Sequence, residues 1–227
     1  MLTLRKLTSL PILSLTTTLE NEIDVVLEND LEFTLCDYTE LEAIAAAARS
    51  QKKKAKVHLK VDTGMRRVGV EPNNALEFAK AITKYSDCIE LKGISTHFAT
   101  SDELDQLFFK KQVKIFADVV SEIRSAGIPV PLAHAANSGA ILQSPDISSF
   151  DMVRPGIMLY GYPPAAELDP IYSKDLKPVL ELVSSVVFTK KVKAGEGVSY
   201  NHRWHTEKDA NIATVPAGYG DGYPRLL

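Results

Sequence analysis

Short apolar runs alternate with helix-like patterns from the start of the chain to about Gly161. The runs are rich in Val, Ile, Leu, Phe and Thr, which favours strands, and the segments between them repeat apolar residues at helical spacing. The predicted strands are Pro11–Leu15, Glu32–Asp37, Lys56–Asp62, Ile89–Phe98, Pro131–Asn137 and Met152–Gly161. The predicted helices are Thr18–Asn29, Thr39–Gln51, Asn73–Tyr85, Asp102–Ala126 and Ser138–Gln143, and Thr39 with Glu42 has the spacing of a capping box. Because no hairpin signal joins successive strands, the pattern predicts parallel strands with helices outside them.

The predicted fold is an α/β, TIM-like (β/α)8 barrel of which about six of the eight units are present. Prolines after Gly161 mark a connection, and beyond it Pro178–Val192 and Ala210–Val215 have the pattern of strands. We therefore expect a partial barrel over residues 1–165 and the start of a mostly β domain over residues 175–227. The length of 227 residues agrees with this, since a complete barrel takes roughly 250.

Composition excludes several classes of protein. The formal net charge is -3, and no basic run is longer than Lys52 to Lys54, so a nucleic-acid partner is not expected. The sequence contains no apolar run of about 18 residues and no signal-peptide pattern, which predicts a cytoplasmic protein without a membrane partner. Cys36 and Cys88 lie far apart in the sequence and are expected to be buried or half-buried thiols rather than a disulfide or metal site.

Polar and charged residues recur where four successive predicted strands end. In parallel β/α folds the reactive groups collect at the carboxyl ends of the strands. The candidates are Lys60, Asp62 and the following Thr63 to Arg67, then His97, then His134, Asn137 and Ser138, and finally Arg154, Gly156 and Ile157. Since such residues are costly in a barrel interior unless they are paired or needed, this end of the barrel is the predicted site.

The last two strand ends suggest a site for a phosphate group. Asn137 and Ser138 open a short helix and offer a hydroxyl and N–H groups, and Gly156 lets backbone N–H groups approach an anion. Taken singly, Ser138 is more often part of a helix cap, and Arg154 is more often a surface or ion-paired arginine. Because the two occur on adjacent strands, a phosphate ligand becomes an equal alternative.

His97, His134 and Tyr219 each allow a structural and a functional interpretation. His97 and His134 are compatible with structural roles, and their spacing does not indicate a metal site. Tyr219 lies in the glycine-rich segment Gly218 to Arg225. It is either a packing residue in an ordinary turn or an acid/base held out by that turn.

Seven segments, in one order along nearly the whole chain, resemble the alanine racemase family of pyridoxal-phosphate enzymes. They are His58-Leu-Lys-Val-Asp-Thr-Gly-Met-Arg-Arg-Val-Gly69, Ser95-Thr-His-Phe-Ala-Thr100, His134-Ala-Ala-Asn-Ser-Gly139, Val153-Arg-Pro-Gly-Ile157 with Tyr160-Gly161, Lys177-Pro-Val-Leu-Glu181, Gly195-Glu-Gly-Val-Ser-Tyr200 and Gly218-Tyr-Gly-Asp-Gly-Tyr-Pro-Arg225. The resemblance implies an isomerase that interconverts L- and D-alanine and supplies D-alanine for peptidoglycan. It also implies pyridoxal 5'-phosphate as cofactor and a barrel followed by a β domain.

The resemblance assigns four residues to the cofactor directly. Ser138, Gly156 and Ile157 match the family's phosphate-binding positions, and Arg154 matches the arginine that faces the pyridine nitrogen. An arginine does not give up its proton, so it would leave this nitrogen unprotonated and the cofactor a weaker electron sink.

Five further roles follow from the same resemblance. His97 and His134 match residues that orient the arginine and the catalytic tyrosine, and Tyr219 matches that tyrosine. Arg67 matches the arginine at the substrate carboxylate, and Lys60 matches a lysine that some members carry carbamylated to hold that arginine. Because the family's tyrosine enters the neighbouring subunit, a homodimer is implied for the complete protein.

One element of the family pattern does not occur in this sequence. Racemisation needs two acid/base groups on opposite faces of the substrate, and the family's second group is the lysine of Lys-Ala-Asn-Ala-Tyr-Gly-His-Gly, which holds the cofactor as a Schiff base. We expect the chain to be an internal fragment that lacks two β/α units at the front and most of the β domain, and to be inactive as given. The alternatives are a racemase for serine or another small amino acid, a related enzyme such as a D-threonine aldolase, and a non-catalytic remnant that binds a phosphate or a partner.

Overall fold

The computed structural model describes residues 1–172 and 174–224. The chain forms two compact units, Met1–Val179 and Leu180–Leu227. The strands are β1 (Glu32–Leu35), β2 (Ala55–Lys60), β3 (Ile89–Ser95), β4 (Leu132–His134), β5 (Phe188–Val192), β6 (Gly197–Val198), β7 (Trp204–His205) and β8 (Ala210–Thr214). The helices are α1 (Leu2–Arg5), α2 (Ile23–Glu28), α3 (Tyr38–Ser50), α4 (Ala75–Thr83), α5 (Leu107–Ser125), α6 (Ser138–Gln143), α7 (Pro145–Ser148) and α8 (Asp169–Tyr172).

Strands β1 to β4 form a parallel sheet in chain order, which confirms the predicted parallel β/α architecture. Alternate residues point to opposite faces of a strand, so one face of β2 carries Val57 and Leu59 and the other carries His58 and Lys60. The apolar face joins a core that also takes side chains from α3, α4 and α5, among them Ile44, Phe78 and Phe116. The polar residues of the sheet therefore share the opposite face.

The first and last of the six predicted strands are much shorter than expected. Leu13 pairs with Glu32 through one isolated bridge, and Met152 pairs with His134 through another. Pro155 lacks the N–H that would continue the second pairing, and residues Ile157–Tyr160 form a 3-10 helix instead of strand. The sheet nevertheless keeps the predicted order, because Asp151 and Arg154 still donate backbone hydrogen bonds to the carbonyls of Ala133 and Ala136.

The predicted cap of the second long helix was wrong by two residues. Asp37, not Thr39, caps α3, because its Oδ1 accepts hydrogen bonds from Thr39 N at 2.7 Å and Glu40 N at 3.2 Å. An Asp before the first helical residue satisfies two N–H groups that the helix itself leaves unpaired. Thr39 is thus already inside the first turn.

The second unit is built from two antiparallel pairs. Strand β5 pairs with β8, and β6 pairs with β7. The predicted strand Pro178–Val192 is regular only over its last five residues, Phe188–Val192. In the first unit, Cys36 is half-buried and Cys88 buried, both as free thiols, as predicted. None of the helices among the described residues has the length and apolar character that crossing a membrane requires.

Candidate active site

A buried chain of hydrogen bonds crosses the polar face of the sheet. Glu32 on β1 lies 2.9 Å from Nε2 of His58 on β2, and Nδ1 of His58 lies 2.9 Å from Nε2 of His134 on β4. Nδ1 of His134 then lies 2.7 Å from Nη1 of Arg154. Three strands and the segment after β4 thus share one continuous network that begins at a carboxylate and ends at a guanidinium.

The contact between the two histidines depends on a glycine in the strand between them. Gly93 of β3 pairs in register with His58 on one side and Leu132 on the other. A Cβ at Gly93 would lie 2.6 Å from His58 Nδ1 and 2.6 Å from the Leu132 carbonyl oxygen. Any other residue at this position would occupy the space that the His58 ring uses to reach His134.

The direction of the hydrogen bonds follows from the arginine. A guanidinium only donates, so His134 Nδ1 accepts from Arg154, and its Nε2–H donates to His58 Nδ1. The His58 Nε2–H then donates to Glu32. Burial and the charge of Arg154 lower the pKa of His134 to about 2, and burial lowers the pKa of His58. Both imidazoles are therefore neutral at pH 7. They lie between the carboxyl group of Glu32 at one end and the guanidinium of Arg154 at the other.

Arg154 is held at several atoms but keeps free donors. Its Nη2 donates to the carbonyls of Thr96 at 2.7 Å and Ala135 at 2.9 Å, and lies 3.5 Å from Nδ1 of His97. Burial lowers the pKa of Arg154 to about 10, so the side chain stays charged at pH 7. A guanidinium has five N–H donors. Within residues 1–172 and 174–224, no partner is found for the Nε–H or for the second Nη1 hydrogen.

Lys60 and Arg67 add positive charge to the same end of the sheet. Lys60, the last residue of β2, is in register with Ser95, which is in register with His134. Burial, with the charges of Arg154 and Arg67 next in importance, lowers the pKa of Lys60 to about 7. Arg67 itself is exposed, and its loop is shaped by Asp62, whose Oδ1 accepts from Gly64 N at 2.9 Å and Arg66 N at 3.0 Å. Burial together with the charges of Lys60, Arg154 and Arg67 lowers the pKa of His97 to about 4.

Ser138 contacts Gly156, which follows Arg154 by two residues in the chain. The Ser138 hydroxyl accepts from Gly156 N at 2.9 Å and from Met158 N at 3.4 Å. A Cβ at Gly156 would meet only Ser138 Oγ, at 3.8 Å, so the backbone there borders open space. Ile157 follows as the first residue of the 3-10 helix and is exposed. The structure thus has a hydroxyl, backbone N–H groups and open space at the position where the sequence predicts a phosphate group.

Tyr219 lies in the second unit. It begins a 3-10 turn, Tyr219–Asp221, and its side chain is 71% exposed. The turn is closed by Asp221 Oδ2, which accepts from Gly218 N at 3.0 Å, and by Gly222 at a φ of +90°. Arg225, the last residue of that sequence motif, lies outside the described residues.

The structure brings together Lys60, His97, His134 and Arg154, and separately Ser138, Gly156 and Ile157. Sequence reasoning assigned no role to Glu32, His58 or Gly93. A signal for His58 was present, because Lys56, His58 and Lys60 alternate with Ala55, Val57 and Leu59 along a buried strand. For Glu32 and Gly93 the sequence alone contains no comparable signal, since their importance arises from neighbours on other strands.

The fold and the site define a β/α-barrel protein with a cationic cluster at the carboxyl ends of its strands, followed by a β unit. The sequence profile described as "Alanine racemase, N-terminal domain" matches residues 1–164, and that described as "Alanine racemase, C-terminal domain" matches residues 179–227. The chain belongs to the alanine racemase family.

Individual relatives agree with this assignment. An alanine racemase of Treponema denticola is 46% identical over 220 residues, which cover 96% of this chain and 57% of that protein. Among solved structures, alanine racemase of Clostridium difficile has a TM-score of 0.81 at 32% identity and covers 99% of this chain and 58% of its own. The biosynthetic alanine racemase of Pseudomonas aeruginosa has a TM-score of 0.84 at 31% identity, with 97% and 59% covered. The chain thus spans somewhat more than half the length of the relatives that it matches.

Proposed function

We propose that the complete protein is an alanine racemase, a pyridoxal-phosphate-dependent isomerase that interconverts L-alanine and D-alanine and so supplies D-alanine for peptidoglycan. The observation that carries this proposal is the chain from Glu32 through His58 and His134 to Arg154. It ends in a charged guanidinium with free donors at the carboxyl end of the sheet. Membership of the alanine racemase family supports the same reaction.

The residues present fit pyridoxal 5'-phosphate. Ser138 would donate its hydroxyl hydrogen to the phosphate group, together with the N–H of Ile157, while the Gly156 N–H holds that hydroxyl in place and the backbone there borders open space. Arg154 would donate one of its free N–H groups to the pyridine nitrogen. When bound, the cofactor withdraws electrons from the α-carbon of the amino acid and makes its proton more acidic.

Arg154 sets the strength of that effect. With a pKa of about 10, it remains an N–H donor at pH 7 and would not give up its proton to a pyridine nitrogen bound against it. His134 supports this by accepting from Nη1, because its pKa of about 2 keeps the imidazole neutral and its Nδ1 available as an acceptor. The site thereby favours removal and return of one proton over reactions that need a strong electron sink.

The remaining roles concern the substrate. Arg67 would bind the carboxylate of the amino acid, with Lys60 beside it, free or carbamylated, and His97 would help to orient Arg154. Tyr219 would act as the acid/base on one face of the α-carbon, contributed across a homodimer interface. The sequence described here contains no counterpart of the lysine motif that supplies the second base, so the two-base reaction belongs to the complete protein. A cytoplasmic location stays a prediction of the sequence.

Turnover of a panel of D- and L-amino acids by the complete protein tests the proposal. We expect interconversion of the alanine enantiomers with a higher kcat/KM than for serine or other small amino acids. Preferred turnover of serine would assign the protein to a different substrate. Cleavage of β-hydroxy amino acids without racemisation would contradict the proposal.

A second test concerns the 227-residue chain itself. After incubation with pyridoxal phosphate and borohydride, we expect no stoichiometric trapping of a lysine, because the site's own Lys60 is assigned to the substrate arginine rather than to the cofactor. Mass spectrometry of the digested protein measures this. A single lysine labelled to completion would show that the chain carries its own cofactor-holding residue.

A further inference from the structure

We propose that Gln112, on the outer helix α5, is a positioning residue that locks the loop leading to Arg67 against the loop that carries His97. The inference rests on the proposed function for its catalytic meaning. It extends that function to a residue that lies outside the barrel strands, on helix α5, and outside the seven sequence segments that resemble the family.

The amide of Gln112 is fully used by these two loops. Its Nε2 donates to Thr63 Oγ1 at 3.2 Å and to the His97 carbonyl at 3.3 Å, and its Oε1 accepts from Ala99 N at 2.9 Å. Thr63 Oγ1 in turn lies 2.8 Å from Thr96 Oγ1. One side chain thus joins the segment after β2 to the segment after β3, where it binds the backbone of His97 and Ala99.

The position of Gln112 on α5 is otherwise a core position. Its side chain is 0% exposed, and its neighbours on the same helix face, Phe109, Val113 and Phe116, are buried apolar residues. A buried amide is costly unless its hydrogen bonds are all made. A polar residue at such a place, with every partner in the two site loops, indicates that the helix holds those loops rather than merely packing on the sheet.

A second contact fixes the same loop to the same helix. Gly64, directly after Thr63, has a φ of +136°, and a Cβ there would lie 2.7 Å from Cζ of Phe108 and 3.5 Å from Gln112 Nε2. The backbone angle at Gly64 is one that other residues rarely adopt, and the loop that leads to Arg67 passes close to the first turn of α5. Phe108 and Gln112 are four residues apart and so lie on one side of the helix.

Loss of the amide is expected to separate the two loops at the site. His97 Nδ1 is 3.5 Å from Arg154 Nη2, and the charges of Lys60, Arg154 and Arg67 act on His97. If the loops move apart, Arg67 and His97 lose their fixed distances from Arg154. Small displacements of positioning groups cost up to about 100-fold in rate.

Replacement Gln112→Met tests the proposal, because methionine matches the unbranched shape and removes all three hydrogen bonds. In the 227-residue chain, we expect faster hydrogen exchange of the Ala99 amide and a rise of the His97 pKa from about 4 toward its ordinary value, both followed by NMR. Gln112→Glu keeps an acceptor for Ala99, so we expect it to restore the Ala99 protection while the His97 titration still shifts. In the complete protein, Gln112→Met is expected to lower kcat/KM for alanine by on the order of 10-fold to 100-fold.

Val119→Ala on the same helix is the matched control. Val119 is a buried apolar residue about two helical turns beyond Gln112, so its truncation destabilises the helix packing but should leave the His97 titration unchanged. A His97 titration that is the same in wild type and Gln112→Met would overturn the proposal, as would an equal shift in Val119→Ala. Should Gln112→Met fail to fold, the His97 titration in Gln112→Leu, which also removes all three hydrogen bonds and adds no charge, decides. Absence of racemase activity in the wild-type complete protein would instead refute the proposed function, and the NMR result would be unaffected.

Discussion

His58 Nδ1 lies 2.9 Å from His134 Nε2 although strand β3 separates the strands that carry the two histidines. The His58 ring passes over Gly93, its register partner on β3, which has no side chain. The rings meet edge to face, with centroids 5.0 Å apart. Through this contact, a carboxylate on β1 is coupled to Arg154 beyond β4.

Replacement Gly93→Ala is expected to lower the free energy of unfolding by about 1–3 kcal/mol, the usual range for added volume in a packed interior. The new Cβ would meet a ring atom of His58 and the carbonyl of Leu132, each at 2.6 Å. Urea unfolding of the two proteins measures the difference.

The double variant Gly93→Ala/His58→Ala provides the control for Gly93. Without the ring, the Cβ conflicts only with Leu132, so the cost of Gly93→Ala should be smaller in the His58→Ala background. Additive costs would show that the His58 ring does not depend on the glycine.

Both histidines of the network are expected to be neutral with the proton on Nε2. This follows because Arg154 can only donate to His134, and because burial lowers the pKa of both rings. Imidazole nitrogen-15 chemical shifts should show one protonated and one unprotonated nitrogen in both rings at pH 7 to 8, and in His134 down to about pH 5. Protonation of His134 near pH 6.5 would contradict the proposed direction of the hydrogen bonds.

Replacement Lys60→Met is expected to stabilise the protein at pH 7 and to do so less as the pH rises. The folded chain releases the Lys60 proton at about pH 7 and the unfolded chain only near 10.5. Between these values the unfolded state binds more protons, so this group makes wild-type stability increase with pH, by up to about 1.4 kcal/mol per pH unit. The variant lacks that contribution.

Urea unfolding of both proteins at pH 7 and pH 9.5, in bicarbonate-free buffer, measures the Lys60 effect. The exposed Lys110, replaced by Met, is the matched control and should show no such pH-dependent difference. A Lys60→Met gain that is equal at both pH values would mean that Lys60 titrates alike in the folded and unfolded states.

Replacement Asp37→Ala is expected to cost about 1 kcal/mol of stability, because α3 loses the acceptor for two of its first N–H groups. Thermal or urea unfolding measures this. Thr39→Ala is the control and should change stability by less than about 0.5 kcal/mol, as is usual for exposed positions. A larger loss of stability in Thr39→Ala than in Asp37→Ala would identify Thr39 as the N-cap, as the sequence pattern predicted.

Much of the fold follows from local pattern. The apolar runs of β1 to β4 and the 3.6-residue periodicity of α3, α4 and α5 are properties of neighbouring residues, so the sequence predicts these elements and their parallel order. The sequence pattern overestimates the lengths of the first and the last of the six predicted strands, because a strand's length depends on its hydrogen-bond partners in other strands. For Met152 the pairing ends at a proline.

The candidate site was predictable in part. Strand polarity alone indicates that Lys60, His97, His134 and Arg154 share one end of the sheet, and the structure brings them together, whereas their roles stay predictions. The role of Gln112 was not predicted from the sequence, because glutamine is a common residue in helices. Its significance appears only when its three partners are found in two distant loops.

The sequence by itself therefore determined the parallel β/α order, the two cysteine thiols and the strand ends at which the polar residues gather. Only the tertiary structure decided that His58 reaches His134 across Gly93, that both rings are neutral, and that Gln112 joins the Arg67 and His97 loops. Periodicity is encoded by residues a few positions apart. Hydrogen-bond direction and burial depend instead on groups that are 76 residues apart in the case of the two histidines, and these meet only when the sheet has formed.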